Sequence, residues 1–211
     1  MNDALRRDAM AARLDVRSGA LRGPALTERL LAVPSADRDV WVDALLGLPE
    51  PPPDASLPRG AVPYLPAGAG EILAMVREVP LRPGDELVDL GSGLGRVAIL
   101  AHLLSGARAR GVEIQRALVD EAAACCARLG LTDVTFTCAD AAEVDLDGSV
   151  FFLYAPFNGD LLARAMRRVE AVARRRPIVV CTVGLELSGE RWLRRRSNSD
   201  PSITLYDSAV G

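Results

Sequence analysis

Residues 86–104 constrain the fold most tightly. Glu86–Leu90 is an apolar strand that follows the turn Pro83-Gly84-Asp85. It runs straight into Gly91-Ser92-Gly93-Leu94-Gly95, and Val97–Leu104 then carries the apolar pattern of a helix that stops before Gly106. Glycines let the backbone turn sharply and let a ligand approach where a side chain would block it. The helix start adds free N–H groups. Open α/β sheets bind their ligands at this carboxyl edge of a strand.

The flanking sequence repeats the alternation. Glu71–Val79 reads as a helix, Ala109–Ile114 as a second strand, and Ala117–Leu129 as a helix closed by Gly130. Val134–Ala139 and Ser149–Tyr154 are strands, the latter nearly all apolar as expected of a strand covered on both faces. A long helix, Leu161–Arg174, and a fifth strand, Pro177–Val183, follow. Trp192–Arg196 and Ile203–Asp207 form a closing pair around the Asp200-Pro201 turn. Strands alternating with helices predict a parallel sheet with helices on both faces. Upstream the pattern is helical: Leu5, Ala9, Ala12 and Val16 share one face, and Leu26, Leu30 and Val33 another. Pro34 should end that second helix and Ser35 cap a third, which holds Val40, Trp41, Ala44, Leu45 and Leu48. Pro49–Pro66, with Pro51-Pro52-Pro53, reads as an extended linker. The expected division is therefore 1–60, a helical extension and proline-rich linker, and 61–211, the α/β domain.

A glycine loop alone says only that a nucleotide-like ligand binds. Here the spacing is G-x-G-x-G rather than G-x-G-x-x-G, and no G-K-[ST] follows. Asp89 stands two residues before the first glycine, where a carboxylate would repel a pyrophosphate. It suits a ligand with cationic groups and no phosphate, as in S-adenosylmethionine with its sulfonium and ammonium. Glu113 ends the second strand, 24 residues after Asp89, where an acid accepts both hydroxyls of a ribose. Asp140 follows the third strand, where a carboxylate accepts from the exocyclic amine of adenine. Structural roles stand beside these. Asp89 would also hold loop N–H groups, Glu113 would also sit at the surface, and Asp140 would also cap a helix from Ala141 onward.

These segments resemble the class I S-adenosylmethionine-dependent methyltransferases. Asp89–Gly95 looks like their first motif, Gly111-Val112-Glu113-Ile114 their second, and Ala139-Asp140-Ala141 their third. The resemblance runs from about Ala61 to the end. It implies a Rossmann-like seven-stranded sheet of order 3-2-1-4-5-7-6 with the last strand antiparallel. It implies S-adenosylmethionine as cofactor, lying on Gly91, Ser92, Gly93 and Gly95, with Asp89 at its amino-acid end. Glu113 and Ile114 would take the ribose, and Asp140 and Ala141 would flank the adenine. Val62-Pro63-Tyr64-Leu65-Pro66, together with the glycine loop and Gly-Val-Glu, also looks like the non-SET histone lysine methyltransferases and their bacterial relatives. By that likeness Tyr64 lies over the cofactor or the acceptor.

The fourth strand ends in Tyr154-Ala155-Pro156-Phe157-Asn158, the place that faces the transferable methyl in such enzymes. Methylases of nucleobase amines and of glutamine carry [DNS]-P-P-[YFW] there. Aligned on Pro156-Phe157, this chain puts Tyr154 where their polar residue stands, which argues against those acceptors. Tyr154 and Asn158 are the candidate catalytic residues, with Tyr64 and Glu71 also in reach. The acceptor is expected to be a small molecule or a protein side chain. The first 60 residues would cover its site or close a homodimer. A non-catalytic binding module and an NAD-dependent oxidoreductase are the rival readings, the latter disfavoured by Asp89 and the short glycine spacing.

Composition narrows the chemistry further. Every one of the 25 cationic residues is arginine, so a Schiff-base or phosphate-loop lysine has no candidate. The net charge of −3 provides no field for nucleic acid. Arg174–Arg176 and Arg194–Arg196 read as solvated faces. Cys125, Cys126, Cys138 and Cys181 form no C-x-x-C pair and the single His102 is remote from them, so no metal site is expected. The charged start, Met1–Val16, and the absence of an apolar run of roughly 18–20 residues predict a cytoplasmic protein off the membrane.

Overall fold

The computed structural model describes residues 2–53 and 57–209. Helices α1 (Asp3–Ser18), α2 (Gly23–Ala32) and α3 (Arg38–Leu46) precede α4 (Ala69–Glu78). Then come β1 (Glu86–Leu90), α5 (Arg96–Ser105), β2 (Arg108–Glu113), α6 (Arg116–Leu129) and β3 (Val134–Cys138). The chain closes with β4 (Val150–Tyr154), α7 (Gly159–Ala173), β5 (Val179–Val183), β6 (Leu193–Arg196) and β7 (Thr204–Ser208). The seven strands form one sheet in the order β3-β2-β1-β4-β5-β7-β6. β7 runs antiparallel to β5 and β6, and the five other strands of the central run pair in parallel. This is the expected topology. Element ends differ from the sequence reading by a residue or two.

Strand alternation divides the core in two. Leu87, Ala109, Phe152, Cys181 and Leu205 point to one face, into a cluster with α4, α5 and α6. Val88, Leu90, Phe151, Leu153 and Val180 point to the other, against Leu161, Ala165, Met166 and Val169 of α7. Asp89 shares the first face by the same alternation, so a carboxylate enters the larger core at the strand end.

The N-terminal helices join that larger core. α2 and α3 lie on α5, and α1 reaches α6. Ala9, Val16, Leu26, Leu30, Trp41 and Leu45 are fully buried in the same cluster as α4 and α5. Asp8 of α1 ties the three helices: its carboxylate accepts from Arg29 of α2 at 2.6 Å and from Trp41 Nε1 of α3 at 2.9 Å. Ser35 opens a short 3-10 turn, Ser35–Asp37, rather than capping α3, because no side-chain cap bond forms there. Arg38 instead reaches back to the carbonyls of Leu31 and Val33 at the end of α2, where a cation complements the helix dipole. Positions 54–56 of the proline-rich linker lie outside the described residues; the rest of the linker forms no helix and only an isolated bridge at Ala61. Among the described residues no helix is long and apolar enough to cross a membrane.

A core shared in this way should unfold as one unit. Trp41→Ala is expected to lower stability by about 3–5 kcal/mol. Urea denaturation followed by far-UV circular dichroism should show the whole transition shifting, not a minor early phase.

Candidate functional site

The glycine loop hangs from β2: the N–H groups of Gly91 and Ser92 both donate to the carbonyl of Val112, at 2.8 and 3.1 Å. Its glycines face in different directions. Gly95 has φ +81°, and a Cβ there would lie 2.4 Å from the Phe136 ring and 3.1 Å from Ala122. It lets α5 close on the sheet and lines neither of the two cavities described below. Gly93 has φ +53°, and a Cβ there would lie 2.1 Å from the ring of Tyr64. The bare backbone of Gly93 is thus what Tyr64 rests on. Gly91 lies against Pro156.

The three strand-end acids do three different things. Asp89 is 2% exposed, and its Oδ2 is buried with no hydrogen-bond partner. Burial, and then the neighbouring Glu113 carboxylate, push it up to about 8. Glu113, also buried, accepts from the N–H of Gly93 at 3.0 Å and of Gln115 at 2.9 Å. Glu113, rather than Asp89, therefore holds the loop N–H. Asp140 accepts from the N–H of Ala142 at 2.8 Å, capping a turn rather than a helix, and its Oδ2 lies 3.8 Å from Arg164.

These residues surround a cavity of about 320 Å³. Gly91 and Val112 floor it, and Glu113, Ile114, Asp140 and Ala141 form one end. Tyr154–Phe157, Leu161 and Val183 form the other, and Leu57 with Ala61–Leu65 makes the roof. The roof is clipped on by two backbone bonds, Val62 N–H to Pro156 and Asn158 N–H to Gly60, at 3.0 and 2.8 Å. Ala155, beside the clip, holds φ +40°, a strained value for a non-glycine residue of the kind that gathers at ligand sites. Helices α1–α3 do not line this cavity; the linker does.

A second cavity of about 20 Å³ lies behind the first. Asp89, Ser92, Arg96 and Phe152 line it, and Tyr64, Leu65, Gly91 and Tyr154 line both. Burial raises the Tyr64 hydroxyl to about 12, so it is a neutral donor at physiological pH. Asn158 is exposed at the start of α7, outside the cavity lining. Glu71 folds back against Gly68 and lines neither cavity. His102 Nδ1 pairs with the Ala107 carbonyl at 2.8 Å. All four cysteines are free thiols, and among the described residues no cluster suits a metal ion. The residue that the sequence reading missed is Arg96. It stands at the end of the glycine motif, but its burial depends on α3, which the local pattern does not reveal.

No protein-family model matches the sequence. Solved structures do resemble it. One is an RNA methyltransferase from Salinibacter ruber in complex with S-adenosyl-L-homocysteine. It is 26% identical with a TM-score of 0.52, over 68% of this chain and 92% of that one. The chain has the methyltransferase fold. A second likeness, a SAM-dependent methyltransferase from Aquifex aeolicus, agrees in fold. It is 13% identical with a TM-score of 0.52, over 64% of this chain and 86% of that one.

The buried Asp89 carboxyl makes a prediction of its own. Its value in the folded protein stands above the ordinary 3.8, so the folded state holds the proton more tightly. The resulting stabilisation is complete below pH 3.8 and is lost as pH rises to about 8. Asp89→Asn removes the buried charge. Thermal denaturation at pH 9 without ligand should show this variant melting several degrees above wild type, and the gap should shrink towards pH 5.

Proposed function

We propose that this protein is an S-adenosylmethionine-dependent methyltransferase, with residues 61–211 as the catalytic domain and 1–60 as a helical extension and linker. The observation that carries the reading is the unpartnered, buried carboxylate of Asp89 beneath a bare glycine loop. A phosphate-bearing nucleotide would meet repulsion there; the cofactor's ammonium would supply the missing partner. The S-adenosyl-L-homocysteine bound to the Salinibacter ruber enzyme supports the same ligand.

When bound, the cofactor supplies an electrophilic methyl on a sulfonium that is already a good leaving group. The protein's part is then orientation and water exclusion. Glu113 keeps one lone pair on each oxygen for the ribose hydroxyls after serving Gly93 and Gln115. Asp140 offers Oδ2 to the adenine amine, and Ile114 and Ala141 provide apolar walls for the base. Tyr154 stands at the junction of the two cavities, where the methyl and the acceptor would meet. Tyr64 covers the loop, as the likeness to the bacterial relatives of the non-SET histone lysine methyltransferases suggests. With its hydroxyl raised to about 12, Tyr64 orients an acceptor but removes no proton from it at neutral pH. Asn158, at the rim, touches only an acceptor that extends beyond the cavity.

The acceptor end favours a small molecule or a side chain over a nucleic acid. Among the described residues no arginine lines the main cavity, and its rim exposes Val62, Leu65 and Ile114. The arginine runs are largely engaged, Arg176 with Asp147 and Arg196 with Asp207. A homodimer through the N-terminal helices would use Met10 and Leu14, which α1 leaves exposed.

Calorimetric titration with S-adenosylhomocysteine tests the reading. Micromolar binding is expected, weakened at least tenfold in Glu113→Ala; no binding at millimolar ligand sinks it. Because Asp89 is protonated in the free protein at pH 7 and ionised beside an ammonium, binding should release about one proton. Titrations in buffers of different ionisation enthalpy should show that release at pH 7, little at pH 9, and none in Asp89→Asn.

A further inference from the structure

Arg96 opens α5 and yet is only 6% exposed. Its guanidinium is held from outside the nucleotide-binding sheet. One terminal nitrogen donates to both carboxylate oxygens of Asp43 on α3, at 2.5 and 2.6 Å. The other donates to the Ala67 carbonyl at 2.9 Å and lies 3.7 Å from Asp39, also on α3. Asp39 in turn accepts from the N–H of Ala69 at 2.7 Å, the first residue of α4. One short helix of the N-terminal extension therefore fixes both Arg96 and the start of α4.

That grip uses the two ends of the fork and leaves Nε–H buried with no partner. Asp89 Oδ2 and Ser92 Oγ are in the same condition, and all three residues line the small cavity behind Tyr64. Leaving a buried charged group's hydrogen bond unmade is expensive, so three such groups together point to a ligand that completes them. They comprise a cationic donor, a carboxyl group that ionises beside a cation, and a hydroxyl. The complementary ligand carries an anionic and a cationic group on one carbon, as does an α-amino acid.

We infer that Arg96 is the determinant for the carboxylate of the cofactor's amino-acid end, opposite Asp89 for its ammonium, and that Asp43 of the N-terminal extension is its positioning residue. This rests on the methyltransferase reading. The extension is then part of the cofactor site, although it lines neither cavity. It sets how strongly the site prefers a nucleoside that carries an amino acid over one that does not. Burial pushes the Asp43 carboxyl up, and the Arg96 charge and hydrogen bonds draw it only part of the way back.

The test compares two probes on the full chain by calorimetry. S-adenosylhomocysteine carries the amino-acid end; 5′-methylthioadenosine has the same nucleoside and sulfur without it. Wild type should prefer the first by roughly 100-fold, the scale of two charge-assisted hydrogen bonds. Arg96→Lys keeps the charge beside Asp43 and removes the Nε–H. It should fold normally, lose at least tenfold in affinity for S-adenosylhomocysteine, and bind 5′-methylthioadenosine as wild type does. Asp43→Asn should erode the preference by a smaller factor in the same selective way. Equal weakening of both probes would mean a structural role only and overturns the inference, as does an unchanged preference in Arg96→Lys. Failure of wild type to bind either probe would instead overturn the methyltransferase reading itself.

Discussion

A carboxyl group at the end of a buried strand is the constraint around which this protein is arranged. Asp89 is buried, and the neighbouring Glu113 carboxylate adds to the cost of ionising it. Burying an ionised carboxylate without a partner is unfavourable enough that the group keeps its proton. An asparagine would fit the same space at lower energetic cost. The acid makes sense as a group held ready for a cation, and the surrounding structure keeps it so. Glu113 takes the N–H of Gly93, and the N–H groups of Gly91 and Ser92 go to the Val112 carbonyl, so these loop donors do not serve Asp89. The Phe136 ring fills the space beside Gly95, and Tyr64 covers Gly93. Local instability at a site that gains energy only from its ligand is the expected trade between stability and function.

Much of the sheet was legible because its signals are local. Glu86–Leu90 is bounded by Pro83-Gly84-Asp85 on one side and Gly91 on the other, and the strand begins and ends where that punctuation places it. The order of the strands came from the resemblance carried by three motifs, each at a strand end. What was not legible is set by contacts distant in sequence. The partner of Arg96 is Asp43, on a helix separated from it by the proline-rich linker. The exclusive use of arginine, read as mere composition, hides one guanidinium that the fold buries. Asp140 shows an intermediate case: aspartate before small residues signals a cap, and it does cap a turn, while its second oxygen lies near Arg164, a contact that the local sequence does not reveal. Asn158 illustrates the converse. Its neighbour Phe157 is buried and its own side chain is turned outward, a difference that adjacency in sequence conceals.

The N-terminal helices change meaning when placed. From the sequence they are an appendage before a linker. In the structure they are an outer layer on α5 and α6, continuous with the larger core through Trp41, Leu45 and Ile72. A helix layer that also holds the first residue of α5 cannot move without moving the glycine loop.

The clip between residues 60–62 and 156–158 has a kinetic consequence. It joins segments far apart in the chain, one before the sheet begins and one after its fourth strand is laid down. Contacts of such long separation form late, after local helices and the β1-β2 pairing have reduced the entropy of closing the loop. Held by two backbone bonds, the roof is expected to assemble late and to open early. A ligand held under that roof acts on the native side of the folding barrier. It lengthens the lifetime of the folded protein and leaves the speed of folding nearly untouched.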